Sequence, residues 1–180
     1  MRNMGIEIKR EDGKYLFDWK RRAKATRRIF LEESSVTATE MGIMLAAASN
    51  GEWVIEDAAT EPHVKDLADF VQKMGAKIVG GGTNTLSIKG KRYLKGTPHE
   101  ISPDYIEGGT FAIASAITGG NIIIENYIPE HYQMTLFYLR NMGVDFREMK
   151  NKLEVLPSKL IACKRKFQTR PWPGFPTDLM

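Results

Sequence analysis

Residues 51–57 read GEWVIED and residues 120–126 read GNIIIEN. Each begins with glycine, runs through β-branched or aromatic residues to isoleucine and glutamate, and closes on Asp57 or Asn126. That composition predicts a strand. Shortly after each comes a helix start, Glu61-Pro62-His63 in the first copy and Pro129-Glu130-His131 in the second. Proline is tolerated in a first helical turn, and an acid suits the positive end of the helix dipole. Val64, Leu67, Ala68, Val71 and Met74 then recur at helical spacing, with Leu136, Leu139 and Met142 as their echo.

The repeat extends in both directions. Before each strand lies a stretch apolar on all sides, MGIMLAAA at residues 41–48 and FAIASAI at residues 111–117. Such a stretch reads as a helix buried inside protein. After each amphipathic helix Met-Gly opens a strand pair: GAKIVGGGTNTLSIKG from Gly75 and GVDFREMKNKLEVLPS from Gly143. A third pair, GIEIKREDGKYLFDW, follows Met4-Gly5. The expected unit is therefore strand, buried helix, strand, amphipathic helix, strand, strand. The fold class is α/β (α+β), with about two whole βαβαββ units and partial units at both ends. The first partial unit is the hairpin after Met4. The last starts with a strand at Lys164–Gln168 and reaches GFPTDLM (174–180), where Thr177 or Asp178 would cap a helix. The chain is expected to be a slice of a longer repeat protein.

Composition narrows the function classes. The 180 residues are 42% hydrophobic and 27% charged, which suits a globular core. No apolar run is long enough to span a bilayer, and the N-terminus has no signal-peptide character, so no membrane partner is expected. One cysteine, Cys163, excludes an internal disulfide framework and favours a reducing, cytoplasmic setting. The formal charge is +4, much of it from the runs at residues 20–28 and 164–166. These could attract nucleic acid or a phosphorylated metabolite, or simply be a solvated surface. Neither zinc-ligand spacing nor a Walker loop accompanies them.

Polar residues collect in front of the buried helices: SSVTAT (34–39), PDYIEGGT (103–110) and FPTD (175–178). Capping alone accounts for many such residues. Their recurrence at equivalent points suggests more, since a helix N-terminus offers free N–H groups and partial positive charge to an anion. Ser-Val-Thr suits phosphate. A carboxylate such as Asp104 or Asp178 would instead bind sugar hydroxyls or take a proton from one.

From Arg28 onward the chain resembles the UDP-N-acetylglucosamine-dependent branch of the enolpyruvyl transferases. The stretches that carry this are SVTATE (35–40), VIEDAATEPHVKDLADF (54–70), MGAKIVGGGTNTLSIKG (74–90), PDYIEGGTFAIASAI (103–117) and PGFPTDLM (173–180). The resemblance implies two domains, each an inside-out α/β barrel of three such units. Residues 1–102 would be the later part of the first domain and 103–180 the first part of the second, with Ser35 and Asp178 facing a shared cleft. It implies transfer of the enolpyruvyl group of phosphoenolpyruvate to the 3-hydroxyl of UDP-N-acetylglucosamine, by addition and elimination, with no metal or organic cofactor. Asp178 matches the base. Ser35, Val36 and Thr37 match the loop that binds the UDP moiety, and Glu61, Asp104 and Glu107 match further acids near the substrates. Thr37 stands where many members have glycine, Glu33 where some have lysine, and Tyr105 where arginine is common.

The resemblance also implies that other catalytic residues lie outside this stretch. The rest of the chain would then be needed to complete both domains, and these residues alone would be inactive. Cys163 does not match the family's catalytic cysteine. A non-catalytic binding or structural module of the same fold is the alternative. A nucleic-acid binder akin to the RNA 3′-phosphate cyclases fits the basic runs but not the matched motifs, so no nucleic-acid partner is expected.

Overall fold

The computed structural model describes residues 6–19, 27–164 and 166–180. Met4-Gly5, residues 20–26 of the first basic run and Arg165 of the second lie outside the described residues. The chain divides into two compact units, Met1–Glu100 and Ile101–Met180.

The first unit opens with a hairpin of β1 (Ile6–Glu11) and β2 (Lys14–Trp19). Asp12 and Gly13 form its turn at φ 48° and 74°, the left-handed pair that matches strand twist in a two-residue loop. A complete βαβαββ unit follows: β3 (Arg27–Phe30), α1 (Val36–Ala47), β4 (Gly51–Glu56), α2 (Pro62–Lys73), β5 (Lys77–Val79) and β6 (Thr85–Gly90). The sheet order is β3-β4-β6-β5. β3 and β4 are parallel because α1 carries the chain back between them, whereas β5 and β6 form an antiparallel hairpin. Period-two burial aims Trp53, Ile55, Leu86 and Ile88 at the helices, which answer with Ile43, Ala46 and Ala47 of α1 and Val64, Ala68 and Val71 of α2. Gly90 ends β6 so close to α1 that a β-carbon there would lie 2.1 Å from the Ala46 carbonyl oxygen.

The second unit contains α3 (Tyr105–Thr118), β7 (Ile122–Glu125), α4 (Pro129–Asn141), β8 (Phe146–Met149) and β9 (Lys152–Val155), in an antiparallel sheet of order β7-β9-β8. Its core joins Tyr105, Tyr127, Tyr132, Leu136 and Leu153 at one end to Ala112, Ala116, Leu139, Val144 and Val155 at the other.

The sequence repeat is conformational in detail. Asp57 and Asn126 leave their strands at φ 56° and 55°, a left-handed geometry that Asp and Asn tolerate best after glycine. The next residue pairs back to the hairpin in both copies, Ala58 N–H to Asn84 O at 3.0 Å and Tyr127 N–H to Asn151 O at 2.9 Å. After each hairpin the chain returns to the methionine that opened it. Lys95 N–H donates to Met74 O and Ile161 N–H to Met142 O, both at 2.9 Å.

Four expectations are corrected. Among the described residues the second unit has no counterpart of β3: residues 91–104 form no strand, and β7 pairs with β9 alone. The described residues of 164–168 form no strand either; the isolated bridge nearby joins Thr169 to Phe175. Residues 177–179 make a single 3₁₀ turn entered from Pro176, with no side-chain cap from Thr177 or Asp178. Finally, α1 and α3 are each buried on one side only within their own unit. Met44 and Phe111 are about half exposed, because the sheet of one unit covers one face of a helix.

Candidate functional site

In the first unit the mouth of α1 is tied to the loop that leaves β4. Ser35 is the N-cap, its Oγ accepting from Ala38 N–H at 3.4 Å. Ser34 Oγ donates to Asp57 Oδ1 at 3.0 Å. Thr39 is fully buried; its hydroxyl donates to Ser35 O at 2.8 Å and accepts from Ala59 N–H at 2.9 Å. These bonds hold the entrance of α1 against residues 57–59, just before Glu61 begins α2. Val36 is half-buried and Thr37 exposed, with its hydroxyl 3.4 Å from that of Ser35. The first turn of α1 contains no acid, so its free N–H groups keep their positive potential. Glu61 is buried, and its Oε2 has no hydrogen-bond partner among the described residues.

The mouth of α3 has the opposite electrostatics. Asp104 is the N-cap, with Oδ1 accepting from Ile106 N–H at 2.8 Å and Glu107 N–H at 3.3 Å. Glu107 adds a second exposed carboxylate in the same turn. The 3₁₀ turn Thr177–Leu179 packs on this helix because Gly109 leaves room for Leu179; a β-carbon at 109 would meet Leu179 Cδ1 at 2.9 Å. Asp178 is thereby held exposed on a turn seated against α3. The second unit thus gathers Asp104, Glu107 and Asp178 around α3, while Ser35, Val36, Thr37 and Glu61 belong to the first.

Tyr105 points inward. It is 5% exposed and packs edge-on against Trp172, with ring centroids 5.3 Å apart. The residue that departs from the arginine of the resemblance is therefore part of the core. Cys163 is half-buried and free. Among the described residues no group of three or more His, Cys, Asp or Glu side chains is arranged to hold a metal ion, and no helix is long and apolar enough to cross a membrane.

Sequence reasoning passed over two contributors. Thr39 lay inside SVTATE but gave no sign that its hydroxyl stitches two loops. Tyr132 lay three residues past Pro129, where the buried face of α4 begins. Burial, then the charges of Asp104 and Glu107, push its phenol up to about 12. Tyr127 is raised as well, by burial and by donating to Glu148 Oε2 at 2.8 Å. A phenol held neutral in the fold but free to ionise near the ordinary tyrosine value of 10.0 when unfolded stabilises fully below that value. The contribution is lost as pH rises toward 12. The melting temperature of the second unit is expected to fall across that interval, and less steeply in the Tyr127→Phe, Tyr132→Phe double variant. Identical slopes in both proteins would contradict this.

The profile of EPSP synthase (3-phosphoshikimate 1-carboxyvinyltransferase) matches residues 1–180. The chain belongs to the EPSP synthase family. Among its relatives, UDP-N-acetylglucosamine 1-carboxyvinyltransferase 1 of Caldanaerobacter subterraneus subsp. tengcongensis is 46% identical over 153 residues. That alignment covers 85% of this chain and 37% of the relative, so the chain spans little more than a third of that protein's length. Two solved structures of the EPSP synthase fold are similar. The enolpyruvyl transferase NikO from Streptomyces tendae gives a TM-score of 0.75 at 18% identity, covering 99% of this chain and 45% of that one. EPSP synthase from Acinetobacter baumannii gives 0.59 at 20% identity, covering 87% and 38%. At these identities the structures establish the fold of the family, and the α/β class read from the repeat agrees with it.

Proposed function

We propose that this chain forms part of an enolpyruvyl transferase that joins phosphoenolpyruvate to UDP-N-acetylglucosamine, the opening reaction of peptidoglycan synthesis. The observation that carries the reading is the 46% identity to a protein named for that reaction. The family's own description names 3-phosphoshikimate as an alternative acceptor. In this reading residues 1–102 are the later part of one domain and 103–180 the first part of the other, and the protein works in the cytoplasm.

The chemistry divides between the two helix mouths. The N–H groups of Val36 and Thr37, unbonded among the described residues in a first turn without an acid, together with the Ser35 hydroxyl, suit the diphosphate of a nucleotide. The acidic mouth of α3 suits uncharged hydroxyls. Asp178 takes the proton from the sugar 3-hydroxyl as its oxygen attacks the central carbon of phosphoenolpyruvate, while a general acid protonates the methylene carbon. None of the residues named above plays that acid. Loss of a proton from the resulting methyl group and departure of phosphate restore the carbon–carbon double bond, leaving an enolpyruvyl ether. Glu61, Asp104 and Glu107 position the sugar.

The test compares acceptors using the protein expressed from the whole gene. Phosphate release from phosphoenolpyruvate is expected with UDP-N-acetylglucosamine and not with 3-phosphoshikimate. The reverse preference, or release with neither, would sink the reading.

A further inference from the structure

The chain leaves β6 at Gly90 and runs back along α2 to the boundary between the two units, which falls after Glu100. Lys91 N–H donates to Ala47 O, Leu94 packs on the core, and Lys95 N–H donates to Met74 O at the end of α2. Past Lys95 the main chain has no such anchor. Among the described residues no backbone hydrogen bond engages residues 96–100, and Gly96, Pro98 and Glu100 are exposed. His99 behaves differently. Its side chain is 9% exposed and lies on a stripe of α2 formed by Asp66, Phe70 and Lys73, which share a face at spacings of four and three residues.

Each edge of the ring meets a group of its own kind on that stripe. The imidazole packs on Phe70 with ring centroids 4.9 Å apart. Nδ1 lies 3.3 Å from Lys73 Nζ, and Nε2 lies 3.2 Å from Asp66 Oδ1. An ammonium has protons to give and no lone pair, so Nδ1 accepts from Lys73. The neutral ring then carries its own proton on Nε2, on the side of the carboxylate. We propose that His99 is a latch: its side chain, in place of the main chain, fastens residues 96–100 to α2. The latch thereby sets the connection between the two units at the few residues that precede Asp104, the cap of α3. Opening it moves the start of that connection back to Gly96. This device goes beyond the function proposed above and does not depend on which acceptor the protein uses.

Limited proteolysis of the protein expressed from the whole gene reads the latch. Glutamyl endopeptidase is expected to cut after Glu100 at least about tenfold faster in His99→Leu than in the parent protein. That variant keeps an apolar contact with Phe70 and loses both polar ones. His99→Gln, whose amide offers an acceptor to Lys73 and a donor to Asp66, should stay within about threefold of the parent. Fragment masses identify the cut, and cuts at other glutamates report on the stability of the rest of the protein. Equal rates in His99→Leu and the parent overturn the proposal, as does a cut in His99→Gln as fast as in His99→Leu. Acceleration at every site together overturns it too, because the change has then loosened the unit and not the strap. Should His99→Leu not fold, Lys73→Met removes the partner of Nδ1 from the helix side and is expected to speed the same cut; an unchanged rate there refutes the latch.

Discussion

Asp178→Asn, made in the protein expressed from the whole gene, is expected to cut phosphate release from phosphoenolpyruvate at saturating UDP-N-acetylglucosamine by about a thousandfold, within the range for loss of a general base. The carboxylate is exposed on a 3₁₀ turn and enters no hydrogen bond or ion pair among the described residues. What holds the turn is its neighbours, Leu179 on Gly109 and Phe175 against Tyr138 and Phe167. Changing the acid to its amide therefore removes a proton acceptor and little else. The melting temperature should not move, and the Michaelis constants should change far less than kcat, since the amide still meets the sugar hydroxyl. Near-parental turnover in Asp178→Asn would refute its role as the base. A fall in melting temperature parallel to the loss of rate would refute the claim that the side chain is structurally idle.

The largest effect on stability is expected at Trp53, in the first unit. It is 1% exposed in the middle of β4, and its indole N–H donates to Ser49 Oγ at 2.6 Å. Ser49 Oγ in turn donates to Ala46 O at 2.8 Å, and the Arg27 guanidinium lies 5.1 Å from the indole ring centroid. One side chain thus joins the sheet to the C-terminal end of α1. Trp53→Ala leaves a cavity among Ile43, Ile88 and their neighbours and strips the buried Ser49 of a donor, at a cost of about 3–5 kcal/mol. The first unit should melt lower by at least about 10 °C, as followed by its far-ultraviolet circular dichroism. Trp53→Phe, which keeps most of the volume but not the N–H, should lose less than half as much. Equal losses for the two variants would mean that packing contributes little.

Much of this architecture was legible because the chain states it twice. GEWVIED and GNIIIEN each predicted a strand, and both strands form; their left-handed exits at Asp57 and Asn126, within a degree of one another in φ, were not foreseen. The glycine-methionine punctuation marked each hairpin, and prolines 62 and 129 marked the amphipathic helices. The failures are equally physical. A strand needs a neighbour, and periodicity alone cannot say whether one runs alongside. Hence Lys164–Gln168 reads as a strand that its described residues do not form, and the described residues of the second unit lack the strand that β3 supplies in the first. An all-apolar helix reads as wholly buried, but one layer of sheet covers only one of its faces, and so Met44 and Phe111 are exposed.

The candidate site was legible in kind rather than in arrangement. Ser35 and Asp104 were recognisable as caps, and both accept backbone N–H groups in that role. The contrast between the acid-free mouth of α1 and the two acids at that of α3 was visible in SSVTAT and PDYIEGGT.

The central claim is tested most directly by the product. Phosphoenolpyruvate and UDP-N-acetylglucosamine, incubated with the whole-gene protein and followed by proton and phosphorus NMR, should yield one inorganic phosphate for each sugar nucleotide carrying an enolpyruvyl ether on its 3-oxygen, with both vinyl protons visible. An unmodified sugar nucleotide after complete turnover of phosphoenolpyruvate, or an enolpyruvyl group at another oxygen, would contradict it.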